Sequence, residues 1–134
     1  MRAWLIIVCL LCAGCGSGSP FDYVKVSGTL LYEDETPIPA PNIRLQFAAQ
    51  DAPTVEGAYP RPAVANVDSS GHFDCVTSYK YGDGLIPGRH KVAVQQATGP
   101  GGRPLVPKEY TSIATTPLMV NTDDAPLEIK VPKP

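Results

Sequence analysis

The sequence predicts an all-β protein: a seven-stranded antiparallel sandwich of two sheets, spanning residues 23–134. Three observations predict it. Short apolar runs alternate with polar residues at a period of two, the period of a strand with one buried face. The 15 Pro and 12 Gly make up about a fifth of the 134 residues, above ordinary usage, and punctuate those runs rather than repeating at a fixed interval. No apolar pattern of period 3.6 appears after residue 20. Seven strands without a helix bury their apolar faces best as two stacked sheets. A chain of this length buries roughly two thirds of its unfolded surface, which suffices without disulfides.

Each element follows from its local pattern. VKVSGTLLY (24–32) puts Val24, Val26, Gly28, Leu30 and Tyr32 on one face and Lys25, Ser27 and Thr29 on the other. Three prolines, Pro37, Pro39 and Pro41, lack an N–H and end the pairing that follows. NIRLQFAAQ (42–50) turns Ile43, Leu45 and Phe47 inward and Arg44 and Gln46 outward. After the polar stretch 51–62, AVANVD (63–68) and HFDCVT (72–77) flank Ser69-Ser70-Gly71, which reads as a hairpin. A loop over 78–88 leads into RHKVAVQQA (89–97), which places His90 on the face of Val92 and Val94. A twenty-residue connection (98–117) precedes PLMVN (117–121) and PLEIKV (126–131). Connections that long are uncommon and are often functional.

The N-terminus has a different character. Met1-Arg2 is a short positive start, and AWLIIVCLL (3–11) is apolar without a break. Nine helical residues rise about 14 Å, half of a hydrocarbon core, so this stretch reads as the apolar part of a helical signal peptide rather than a span. Ala13-Gly14-Cys15 follows. That triplet resembles the lipobox of bacterial lipoproteins, which implies cleavage between Gly14 and Cys15 and acylation of Cys15. Residues 1–14 are then the signal peptide and residues 15–22 a lipidated, flexible tether rich in Gly and Ser. Gly16, where such proteins retained at the inner membrane carry Asp, implies the outer membrane. The spacing of Cys9, Cys12 and Cys15 also fits a metal motif. However, Cys9 and Cys12 lie in a lipophilic stretch that lacks the polar surroundings of a ligand cage.

The candidate chemistry is sparse. A net charge of −2 and the lack of a basic patch argue against a nucleic-acid partner. Asn66, Asp68, Ser70 and Gly71 match the opening half of a calcium loop, but the position for its bidentate Glu is Thr77. A turn is the better reading. His72 and Asp74 share one strand face, while Cys75 falls on the face of Phe73 and reads as a small buried hydrophobe. With Cys15 acylated, Cys75 has no disulfide partner in the chain. No nucleophile elbow or phosphate-binding loop is present, so catalysis is not expected, and neither is a cofactor or a metal. In the 98–117 connection, Arg103, Lys108, Glu109 and Tyr110 form a candidate contact surface; the alternative is an ordered loop packing its own apolar residues on the sandwich edge.

VSGTLLYEDETPIP, DSSGHF, GDGLIPGRHKVAV and VPKEYTSIATTPLMV together resemble the carboxypeptidase regulatory-like domains over residues 24–131. That resemblance implies a transthyretin-like (prealbumin-like, Ig-like) sandwich serving as a non-catalytic accessory or binding module, without naming a ligand. Transthyretin-like hydrolases, related in fold, end in Tyr-Arg-Gly-Ser, whereas this chain ends Lys-Val-Pro-Lys-Pro. Isopeptide-forming sandwiches would use Lys25, but 126–131 holds no Asn. The expected function is therefore that of a lipid-anchored envelope module, with membrane lipid as one partner through Cys15 and an envelope protein or polysaccharide as the other. A self-associating structural component is the second possibility and a hydrolase the third.

Overall fold

The computed structural model describes residues 21–52, 54, 55 and 57–134. The expected signal peptide, Cys15 and the tether as far as Pro20 lie outside the described residues. Seven strands form: β1 (Gly28–Tyr32), β2 (Ile43–Ala49), β3 (Ala63–Val67), β4 (His72–Phe73), β5 (Arg89–Gln95), β6 (Met119–Asn121) and β7 (Leu127–Val131). They make two sheets, a three-stranded one in the order β4-β1-β7 and a four-stranded one in the order β3-β2-β5-β6.

The period-two pattern sets which side chains are buried. Leu30 and Tyr32 in β1, Ile43, Leu45 and Phe47 in β2, Ala63, Ala65 and Val67 in β3, and Leu127, Ile129 and Val131 in β7 all point into one shared core. The two sheets meet directly there. The Phe47 ring of β2 lies 6.2 Å from the Phe73 ring of β4, tilted by 59°. This is a β-sandwich-like architecture.

One pairing departs from the expected antiparallel scheme. The first and last strands, β1 and β7, run parallel, with Gly28 opposite Leu127 and Tyr32 opposite Val131. Between them the chain runs through β4 of their own sheet and all four strands of the other, which supplies the long crossover a parallel pair requires. Gly28 makes the pairing possible. A Cβ there would stand 2.3 Å from the Leu127 carbonyl oxygen and 2.6 Å from the Phe73 ring, so no larger residue fits between the neighbouring strands.

Strand lengths also differ from the expectation. Val24 does not extend β1. It exchanges both backbone hydrogen bonds with Leu85 in the 78–88 loop, at 2.8 and 2.9 Å. β4 stops at Phe73 rather than Thr77.

His90 sits in the core at 3 % exposure, on the face of Val92 and Val94 as expected, edge-on to Phe47 at 6.5 Å between centroids. Its Nε2 lies 2.7 Å from the Ile86 carbonyl oxygen, which can only accept, so Nε2 carries the proton. Nδ1 is buried without a partner. Burial pushes the His90 pKa below its usual value, although the Ile86 hydrogen bond and the Asp51 charge work the other way. Asp51 is itself held by Arg89 through two hydrogen bonds of 2.8 and 2.9 Å. An unfolded His90 thus takes up a proton that the folded one refuses. Stability contributed by the neutral ring is fully present above about pH 6.5 and is lost as the pH falls below that value, by up to about 1.4 kcal/mol per pH unit, levelling off under the folded pKa. Denaturant unfolding at pH 7.5 and pH 5.0 should show this loss in the wild type and a smaller one in His90→Leu. Equal losses in the two would exclude His90 as the source.

Candidate functional site

The clearest concavity with converging polar groups lies where the Ser69-Ser70-Gly71 turn divides. The sequence reads this region as a hairpin with two paired arms. In the structure the turn forms: Asp68 N–H donates to the His72 carbonyl at 2.9 Å and Gly71 N–H to the Asp68 carbonyl at 3.0 Å. The arms then separate. β3 pairs with β2 in the four-stranded sheet, and β4 pairs with β1 in the three-stranded one. They rejoin only at Val64 and Thr77, which exchange hydrogen bonds of 2.9 and 2.8 Å. The gap between these two closures is a cleft of about 320 Å³, at the small end of the range for ligand pockets (about 300–1,000 Å³).

Two aspartates order the backbone around it. Asp68 Oδ1 accepts from Ser70 N–H at 2.9 Å, Ser70 Oγ–H at 2.6 Å and His72 N–H at 2.9 Å, closing the turn. These hydrogen bonds hold its carboxyl below the usual range against the opposing effect of burial, with Ser70 contributing most. The calcium-like spacing of Asn66, Asp68 and Ser70 is therefore used to make a turn. Among the described residues no three His, Cys, Asp or Glu side chains converge as a metal-ligand set.

Asp83 does the same for the 78–84 loop. Its carboxylate accepts from the backbone N–H of Ser78 (2.8 Å), Tyr79 (3.0 Å) and Lys80 (2.8 Å). Burial opposes ionisation, but these N–H groups prevail and hold the Asp83 carboxyl below its usual range. Thr77 Oγ1 accepts from Gly82 N–H at 3.0 Å, and Gly84 N–H donates to the Val76 carbonyl at 2.9 Å. The loop is thereby tied at both ends, and it carries Tyr79 and Tyr81.

Within this frame His72 Nε2 lies 2.8 Å from Asp74 Oδ1, so the two share a face as the sequence predicts. Cys75 does not take the core position assigned to it. With β4 ending at Phe73, strand alternation lapses, and Val76, fully buried, takes the core position. Cys75 is half-buried and lines the cleft. The nearness of Cys75 raises the Tyr81 pKa above its usual value. Tyr81 is 89 % exposed, an aromatic ring projecting to solvent beside the cleft. Tyr79, the other ring on this loop, packs under the Arg61 guanidinium, 5.6 Å from its centroid.

The 98–117 connection is ordered on the opposite side of β5. Tyr32 Oη donates to the Leu105 carbonyl at 2.7 Å, Leu105 N–H to the Ala97 carbonyl at 2.9 Å, and Thr116 Oγ–H to the Val92 carbonyl at 2.6 Å. Val106 is buried, and Leu105 and Tyr110 pack on the core. Of the four residues singled out as a contact surface, Arg103, Lys108 and Glu109 are exposed, whereas Tyr110 is half-buried against the core and offers no free ring. An apolar groove of about 420 Å³ runs beside Ala97, Pro104 and Val106. Lys25, the candidate crosslinking amine, is exposed.

Sequence reasoning missed Tyr81 and the cleft. The available signal was Gly82-Asp83-Gly84, an Asp between two glycines directly after an aromatic pair. Fold and site together define a two-sheet β protein with a polar cleft on one sheet edge. No family model, curated protein or solved structure matches the chain.

Proposed function

We propose that the chain is a lipid-anchored, non-catalytic module of a bacterial envelope that acts by binding, with a transthyretin-like sandwich of the carboxypeptidase regulatory-like kind as its body. The observation that carries the reading is the order of segments at the N-terminus: Met1-Arg2, nine apolar residues, then Ala13-Gly14-Cys15 ahead of a folded β body. Each buried acyl CH₂ contributes about 0.8 kcal/mol, so the two or three chains of such a lipoprotein give a durable anchor where one would not. The family part of this reading rests on the sequence segments 82–92 and 106–118 that carry the resemblance. Binding is favoured over self-assembly by the sheet edges. β6 is three residues long, and β7 projects Glu128 and Lys130 to solvent, both of which blunt edge-to-edge pairing.

The test is Cys15→Ala expressed as the full chain in a Gram-negative host. Wild type should remain in the membrane pellet through a high-salt wash, and its mature N-terminus should carry the mass of a diacylglyceryl group. Cys15→Ala should move to the soluble fraction. A Cys15→Ala chain that still pellets after the wash sinks the anchor.

A further inference from the structure

The cleft between β3 and the 72–81 segment has features that restrict what it can hold. Its carboxylates are occupied: Asp68 closes the turn and Asp74 pairs with His72. Two aspartates on the lining disfavour an anionic ligand. Asn66 is exposed on the outward face of β3 and offers an amide that both donates and accepts. The backbone N–H and C=O of Val64 point to Thr77, away from β2, and strand alternation orients those of Asn66 the same way, into the cleft. Beside these polar groups stands the exposed Tyr81 ring, carried on a loop whose backbone Asp83 holds. A tyrosine has only two side-chain torsions to order, so its ring costs little conformational entropy on binding.

A flat apolar face next to neutral donors and acceptors suits a sugar ring. A pyranose with equatorial substituents presents its axial C–H groups as an apolar face and its hydroxyl or acetamido groups around the rim. The rim groups suit Asn66 and its backbone, and the C–H face suits Tyr81.

We propose that this cleft binds a neutral β-1,4-linked glycan of N-acetylated hexosamine units, with Tyr81 as the stacking platform and Asn66 as the partner of an acetamido group. The inference deepens the binding-module reading and rests on it for the expectation that the domain has a ligand. The acetamido group, which both donates and accepts, is the part of the ligand that the Asn66 amide distinguishes from a plain glucan.

Isothermal titration of the full chain in detergent micelles, with β-1,4-linked N-acetylglucosamine tetrasaccharide and with cellotetraose, tests the assignment without requiring the anchor. The N-acetylated tetrasaccharide should bind saturably and more tightly than cellotetraose. Tyr81→Ala should weaken it about tenfold, the scale of one aromatic contact. Tyr81→Phe should keep the affinity within about twofold, since the ring remains. Tyr59→Ala, an exposed ring that does not line the cleft, should change nothing. No binding at about 10 mM ligand, equal affinity in Tyr81→Ala, or tighter binding of cellotetraose overturns the proposal. Each of those results leaves the Cys15 anchor untouched, and a failed anchor leaves the titration untouched.

Discussion

Phe47→Ala should destabilise the protein by about 3–5 kcal/mol, the usual cost of removing a buried aromatic ring. The ring is fully buried on β2 and is where three elements meet: it touches Phe73 of β4 at 6.2 Å and His90 of β5 at 6.5 Å between centroids. Its loss leaves a cavity between the two sheets, and neither sheet can close it without breaking its own ladder. Natural domains have only about 5–15 kcal/mol in total, so this single change takes a large part of the margin. Denaturant unfolding followed by far-ultraviolet circular dichroism measures it. Phe47→Leu, which refills most of the volume, should recover more than half of the loss. A loss under about 1 kcal/mol in Phe47→Ala would mean that the sheets are not held together at this point.

Gly84→Ala should be comparably damaging and should act on the site as well as the fold. Gly84 has φ of +107°, a region that L side chains avoid. A Cβ there would lie 1.8 Å from the Val24 carbonyl oxygen, closer than any relaxation of a side chain could relieve. The Val24–Leu85 pairing must open, and the 78–84 loop must shift with it. A loss of several kcal/mol is expected from combined clash and backbone strain. Amide hydrogen exchange should show Ser78, Tyr79 and Lys80, the three N–H groups that donate to Asp83, losing protection before the β2–β5 ladder does. Unchanged protection of those three amides would refute the link between Gly84 and the loop.

These residues show where sequence reading succeeds. Phe47, Leu45 and Ile43 were readable as core because alternation at period two is a local property, and burial of one sheet face follows from it wherever the strand ends up. His90 was readable on the core face for the same reason. The site was less legible. Cys75 was assigned to the core by extending alternation from Phe73, but the strand ends at Phe73, and nothing local marks that end. Asp83 lies within the segment that resembles the regulatory-like domains, yet its role as acceptor for three N–H groups depends on how the loop folds back on itself. Tyr110 stands among charged residues, so its local sequence fits either a contact surface or a loop packed on the sandwich edge; the structure shows the second, and the core that receives Tyr110 is built by residues far away in sequence, Tyr32 among them.

The sequence by itself determined which side chains turn inward, where the chain turns, and the class of fold, since each depends on periodicity and on residues within a few positions of one another. Only the tertiary structure decided which strands pair, that β1 and β7 run parallel, and that the two arms of the 68–72 turn enter different sheets and open a cleft between them. The reason is physical. Strand pairing is chosen by competition among distant edges for the same hydrogen bonds, and by close approaches such as Leu127 against Gly28, where a Cβ would stand 2.3 Å from a carbonyl oxygen. A strand's own pattern is compatible with several partners, so the choice among them, and the cleft that this choice leaves, exists only once the chain is assembled.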